Sequence, residues 1–126
     1  MSLKPLDLAL PRDLEQLAGL RATLGDWLDR AGVNGDDRNE IILAAHEAVA
    51  NGIEHSEGDG ELRARGNVDG QAVTVTVTSP GPWREPQTTP GRGNGLVIIR
   101  GLTEVDIDAT ATSASVRMRR RLSSRG

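Results

Sequence analysis

Within "HEAVANGIEHS", residues 46–56, Glu47, Asn51 and His55 recur every four positions. On a helix that spacing projects them from one side. A carboxylate and a neutral amide one turn apart can serve a divalent cation and a polyphosphate: the amide oxygen suits a hard cation, and the carboxylate can orient or deprotonate a nucleophile. Some forty residues on, "PGRGNGLVII" (90–99) places Gly91, Gly93 and Gly95 directly before an apolar helical run. Glycines there let backbone approach a ligand closely, and a helix start offers unpaired N–H groups to an anion. Arg92 is in reach to offset phosphate charge.

Each feature has a plainer alternative. The stripe is also what a solvated helix face looks like, although Leu43, Ala44 and Ala50 flank it and leave Glu47 and Asn51 in an apolar surround. The glycines also suit a flexible hinge. They form neither a P-loop, since no Gly-Lys-Ser/Thr follows, nor a Rossmann fingerprint, since a Pro-rich loop precedes them. A zinc site is excluded: His46 and His55 point to opposite sides of the helix, and H-E-x-x-H is absent. His46 reads as a partly buried structural histidine.

The elements that must carry these residues follow from periodicity. "LDLAL" (6–10) suits a short strand. Asp13 can cap a helix from Leu14, with Leu14, Leu17, Leu20, Leu24, Trp27, Leu28 and Ala31 on its apolar face and Gly32 closing it. Asp36 or Asp37 can cap a second helix from about residue 38 to 55, its core face Ile41, Ile42, Ala45, Ala48, Val49 and Ile53. "ELRARGNV" and "QAVTVTVTS" read as a hairpin turning at Asp69-Gly70, with Val73, Val75 and Val77 on one face and Thr74, Thr76 and Thr78 on the other. Residues 80–94 are almost all turn formers around Trp83, too long for an ordinary connection. Gly95 opens a short helix. "EVDID" and "ASVRMRRRL" finish the domain, before a frayed tail at 123–126. Arg117, Arg119 and Arg121 form an exposed basic face that can pair across the sheet with Glu104, Asp106 and Asp108. The expected fold is α/β, a two-layer sandwich of a mostly antiparallel, mixed sheet with helices on one face, in a single domain over 1–126.

Composition narrows the classes. At 126 residues, with 37% hydrophobic content and no Phe or Tyr, Leu, Ile, Val and Ala must build the core. A net charge of −3 gives no general pull toward nucleic acid or anionic membrane. With no Cys there are no disulfides, Cys–zinc sites or thiol chemistry. No apolar run is long enough to span a bilayer, and the N-terminus lacks a signal-peptide pattern, so a cytoplasmic protein is expected.

Taken together, E-x-x-x-N on a helix, a strand ending in a turn, then a loop and G-x-G-x-G resemble the N, G1 and G2 boxes of the GHKL (Bergerat-fold) ATPases. "HEAVANGIEHS", "GPW" and "GRGNGLVIIRGL" look most like the anti-sigma-factor serine/threonine kinases, over nearly the whole chain. The resemblance implies ATP and Mg²⁺ as cofactors, with Asn51 the metal ligand. It implies Glu47 as general base toward a Ser or Thr of an anti-anti-sigma (STAS-type) partner, Gly81 in the G1 turn, and Gly91, Arg92, Gly93, Asn94, Gly95 and Leu96 as lid end and phosphate cradle. Trp83 lies beside the nucleotide or pins the lid. A sigma factor is the other implied partner, and Asp7 with the early strand would lie at a homodimer contact. The sequence departs from the family at Ser79, where the G1 box carries an adenine-reading Asp, and at Ser113-Ala114, where a Gly-Thr is usual. Both fall at the base-recognition end. Two functions therefore stay open, a kinase and a nucleotide-independent module that binds a sigma factor or its antagonist. The ATP-binding half of a histidine kinase ranks last, for want of a dimerisation helix pair.

Overall fold

The computed structural model describes residues 3–55, 60–81 and 95–123. The expectations for Trp83, Gly91, Arg92, Gly93 and Asn94 lie outside the described residues, as does the side chain of His55. The elements run β1 (Leu6–Leu10), α1 (Gln16–Arg30), α2 (Gly35–His55), β2 (Leu62–Asp69), β3 (Ala72–Pro80), α3 (Gly95–Leu102), β4 (Glu104–Ala109) and β5 (Ser113–Arg121). The strands form one sheet in the order β1-β2-β3-β5-β4. The two-layer sandwich is as expected, but every strand pairing among the described residues is antiparallel, so the sheet is not mixed.

Alternation on β3 decides which side of the sheet is covered. Val73, Val75 and Val77 are buried against the helices, while Thr74, Thr76 and Thr78 stay half-exposed on the other face. Leu20, Leu24 and Leu28 of α1 and Ala45 and Val49 of α2 meet that valine row in one core. Trp27 is the only aromatic ring in the core among the described residues and donates its indole N–H to the Lys4 carbonyl at 2.9 Å, which satisfies the one polar atom it would otherwise bury. Gly32 closes α1 as expected: its N–H reaches the Asp29 carbonyl, and Val33 N–H reaches that of Leu28, so the last carbonyls are not orphaned.

Several boundaries move. Asp13 Oδ1 accepts the Glu15 N–H at 3.0 Å and caps a turn, but the regular helix begins at Gln16, and Leu14 is 49% exposed rather than part of the core. The second helix begins at Gly35, so Asp36 and Asp37 occupy its first turn, where acidic side chains favour the helix dipole. Ala44, expected beside the polar stripe, is buried in the core. The hairpin pairs Asp69 with Ala72, so Gly70 and Gln71 make the turn, one residue later than expected. Gly70 supplies the positive φ of +59° there.

The exposed face of the sheet is balanced in charge. Arg63 holds Asp7 through two bonds of 2.8 and 3.2 Å, Arg117 lies 2.9 Å from Asp106, and Arg119 lies 3.6 Å from Glu104. The Arg63 hydrogen bond holds the Asp7 carboxyl below the usual carboxylate range. The predicted pairing of β4 with β5 thus holds for Glu104 and Asp106, whereas Asp108 stands opposite Ser115. Arg120 turns inward instead, and Ser123, expected in a frayed tail, is bonded to Asp37. No described helix is long and apolar enough to cross a membrane.

Candidate functional site

The second half of α2 carries the stripe, and one glycine sets its height above the sheet. A Cβ on residue 52 would lie 2.5 Å from Leu62 Cδ2 and 2.6 Å from Ser79 Oγ. Both distances are impossible without a shift. Glycine inside a helix costs about 1 kcal/mol relative to alanine, and here backbone contact with the sheet explains its presence. Gly52 therefore seats α2 directly against Leu62 of β2 and Ser79 at the end of β3, so the helix that carries Asn51 meets Ser79, far away in sequence.

On the same helix, Glu47 and Asn51 are half-buried, and neither side chain has a hydrogen-bond partner among the described residues. Core packing holds the helix beneath them through Ala44, Ala45, Ala48 and Val49. Ser79 is 6% exposed, and its hydroxyl likewise has no partner among the described residues. Across the β3–β5 pairing Ser79 stands opposite Ala114, so the two departures from the family pattern are neighbours in the sheet. Beside them Thr78 and Ser115 share a hydroxyl hydrogen bond of 3.0 Å. Gly81 follows at φ +87°, with its N–H on the Thr112 carbonyl at 2.6 Å. A positive φ there is a conformation that glycine adopts without steric cost.

α3 packs along α2. Gly95 is its first residue, and the Leu96 side chain is buried, so Leu96 offers a ligand only its backbone N–H. His46 is half-buried at the α1–α2 contact, where Arg21 Nη1 donates to its Nδ1 at 2.9 Å; the structural reading of this histidine stands.

The donor set bears on a metal. No group of three or more His, Asp or Glu able to hold an ion occurs among the described residues. Asn51 and Glu47 suit Mg²⁺, which keeps several waters and takes few protein ligands when substrate phosphates complete its shell. They do not suit an ion caged by protein alone.

Two features here escaped sequence reasoning. Gly52 was legible in principle, as a glycine inside an otherwise strong helix beside Asn51. The place of Arg120 on the inner face follows from alternation on β5, but the acceptors it meets there, on α2 and α3, do not.

Comparison with known proteins agrees with this geometry. The crystal structure of the RsbU and RsbW domains of Rv1364c from Mycobacterium tuberculosis superposes with a TM-score of 0.81 at 25% identity. The match covers 96% of this chain and 33% of that one, so the chain spans about a third of the matched protein's length. The family model for the histidine kinase-like ATPase domain matches residues 10–120. With the sheet order, the seating of α2 on Ser79 and this match all in agreement, the chain belongs to the histidine kinase-like ATPase domain family.

Proposed function

We propose that this chain is a regulator of a sigma factor that binds Mg-ATP between α2, the end of β3 and the start of α3, and phosphorylates a Ser or Thr of an anti-anti-sigma protein. One observation carries the proposal: Gly52, the residue after Asn51 on α2, lies against Ser79 at the end of β3, so the helix that bears Glu47 and Asn51 adjoins the strand that runs into Gly81. The RsbW name of a matched domain supports the sigma-factor setting. In this reading Ser79 and Gly81 face the base, and the N–H groups at the start of α3 face the phosphates. Asn51 is a ligand of Mg²⁺, which when bound neutralises phosphate charge. Glu47 takes the proton of the attacking hydroxyl as its oxygen bonds to the γ-phosphorus and the bond to the β-phosphate oxygen breaks, releasing ADP. A homodimer contact at β1, an edge strand of the sheet, belongs to the same reading.

Asn51→Ala tests the site. Asn51 stands off the buried core face, so the variant should fold and melt like the parent while losing Mg-dependent ATP binding, read by calorimetry. Equal Mg-ATP affinity in variant and parent removes Asn51 from the site.

The second reading, a module that binds partners without nucleotide, is favoured by one observation, the neutral Ser79–Ala114 pair at the base end. Ser79→Asp separates the two. Hydrogen bonds to a charged acceptor are worth roughly 1.5–3 kcal/mol against about 1 for a neutral one. The variant should bind ATP about tenfold tighter, equivalent to about 1.4 kcal/mol, with little gain for GTP. Unchanged or weaker ATP binding by a folded Ser79→Asp protein favours the binding module.

A further inference from the structure

Arg120 occupies an inward position on β5, in line with Val116, Met118 and Leu122, where an arginine is expensive to desolvate. Its side chain is only 20% exposed. Each part of its guanidinium meets a different acceptor. Nε donates to Asp37 Oδ1 at 2.9 Å, Nη1 donates to the Leu102 carbonyl at 2.8 Å, and Nη2 is paired with Glu40. Asp37 is itself 11% exposed at the side chain, and its Oδ2 accepts the Ser123 N–H at 2.8 Å. Burial alone would push the Asp37 carboxyl up; the Ser123 N–H, Arg120 and the Ser123 hydroxyl outweigh it and hold it below the usual carboxylate range. Asp37 is therefore ionised within this cluster at neutral pH.

The elements it joins matter more than the charges. Asp37 and Glu40 belong to the start of α2, and Leu102 is the last residue of α3. With eight residues, α3 is too short to hold itself in water. It is fixed by burial of Leu96 and Ile99, by Thr103, whose N–H and hydroxyl both reach the Ile99 carbonyl, and by Arg120 at its last carbonyl. A helix of that length is about 12 Å long and moves as one body, so a shift at Leu102 is felt at Gly95.

We propose that Arg120 is a positioning residue for the phosphate end of the nucleotide site: it ties the end of α3 to the start of α2, so that the N–H groups at the start of α3 are held at a fixed height against the helix that carries Glu47 and Asn51. The inference rests on the nucleotide reading above. It also explains why the residue is arginine. A lysine ammonium keeps the charge but cannot fork to a carboxylate on one side and a helix-end carbonyl on the other.

The test compares Arg120→Met and Arg120→Lys with Leu28→Ala, which lies in the α1 core and has no bond to α3, at a temperature where all are folded. Hydrogen exchange over residues 96–102 and calorimetry with Mg-ATP are both read. Both Arg120 variants should exchange faster in α3 by about tenfold, and should bind Mg-ATP about tenfold more weakly. Leu28→Ala should lower the melting temperature without either change. If the parent binds Mg-ATP and the Arg120 variants match it in affinity, or lose no more than Leu28→Ala does, the positioning role is overturned and the nucleotide reading survives. If α3 exchange rises but the parent binds no Mg-ATP, the nucleotide reading fails and takes the phosphate role with it.

Discussion

Glu47→Gln is expected to keep Mg-ATP affinity within a few-fold of the parent and to slow phosphotransfer by about 10²–10⁴-fold, the usual worth of a general base. The substitution preserves shape and hydrogen-bonding capacity, so it isolates the proton. Glu47 is half-buried, one turn before Asn51, on a helix whose opposite side is packed into the core; nothing in the fold depends on its charge. An amide in its place still accepts a hydrogen bond from the attacking hydroxyl but cannot take up the proton. Removing a negative charge near the triphosphate should, if anything, tighten ATP binding slightly. The measurement is single-turnover transfer of labelled phosphate to a STAS-type protein with saturating ATP. Transfer at the parent rate excludes Glu47 as the base, whereas loss of ATP binding along with transfer makes it a structural part of the pocket.

The stripe could be recognised from sequence because helical spacing is a local property. Glu47 and Asn51 fall on one side of α2 whatever the helix packs against. Alternation was equally dependable on β3, where Val73, Val75 and Val77 face the core and the threonines do not. Ends of elements were less legible. Asp36 and Asp37 have the chemistry of a cap, yet the helix starts before them at Gly35, and Asp37 is committed instead to Arg120, 83 residues away. The hairpin slipped by one residue because both Asp69-Gly70 and Gly70-Gln71 put a glycine in the loop, and only the pairing partners decide between them. Arg120 shows the deepest limit. Its position on the inner face followed from alternation, but a buried arginine can be tolerated only through its acceptors, and those lie on two helices that the strand pattern cannot see. The seating of α2 on Ser79 is also tertiary: Gly52 breaks a local helix preference for the sake of a contact with Leu62 and Ser79.

The same acceptors set the largest expected stability effect. Asp37→Ala should destabilise the fold by about 3 kcal/mol, the low end for removing one partner of a buried ion pair, because Glu40 remains to hold Arg120. For a domain of this size that is a fall of about 10 °C in melting temperature. The loss should depend on pH in a defined direction. The Asp37 carboxyl titrates below its unfolded value, so the folded state binds fewer protons there than the unfolded one does. Its stabilisation is fully present above the unfolded carboxylate value of about 3.9 and is lost as pH falls through the folded value. Urea unfolding of parent and variant at matched pH should therefore show a constant gap from about pH 5 to 8 that narrows below about pH 4. Asp7 titrates in the same acid range, but it is half-exposed on the outer face and present in both proteins, so it cancels in the difference. A gap that stays constant through the acid range would mean that Asp37 contributes through shape and neutral hydrogen bonds rather than charge. No gap at neutral pH would mean that the Ser123 bonds and the Arg120 pair return no more than the burial of the carboxylate costs.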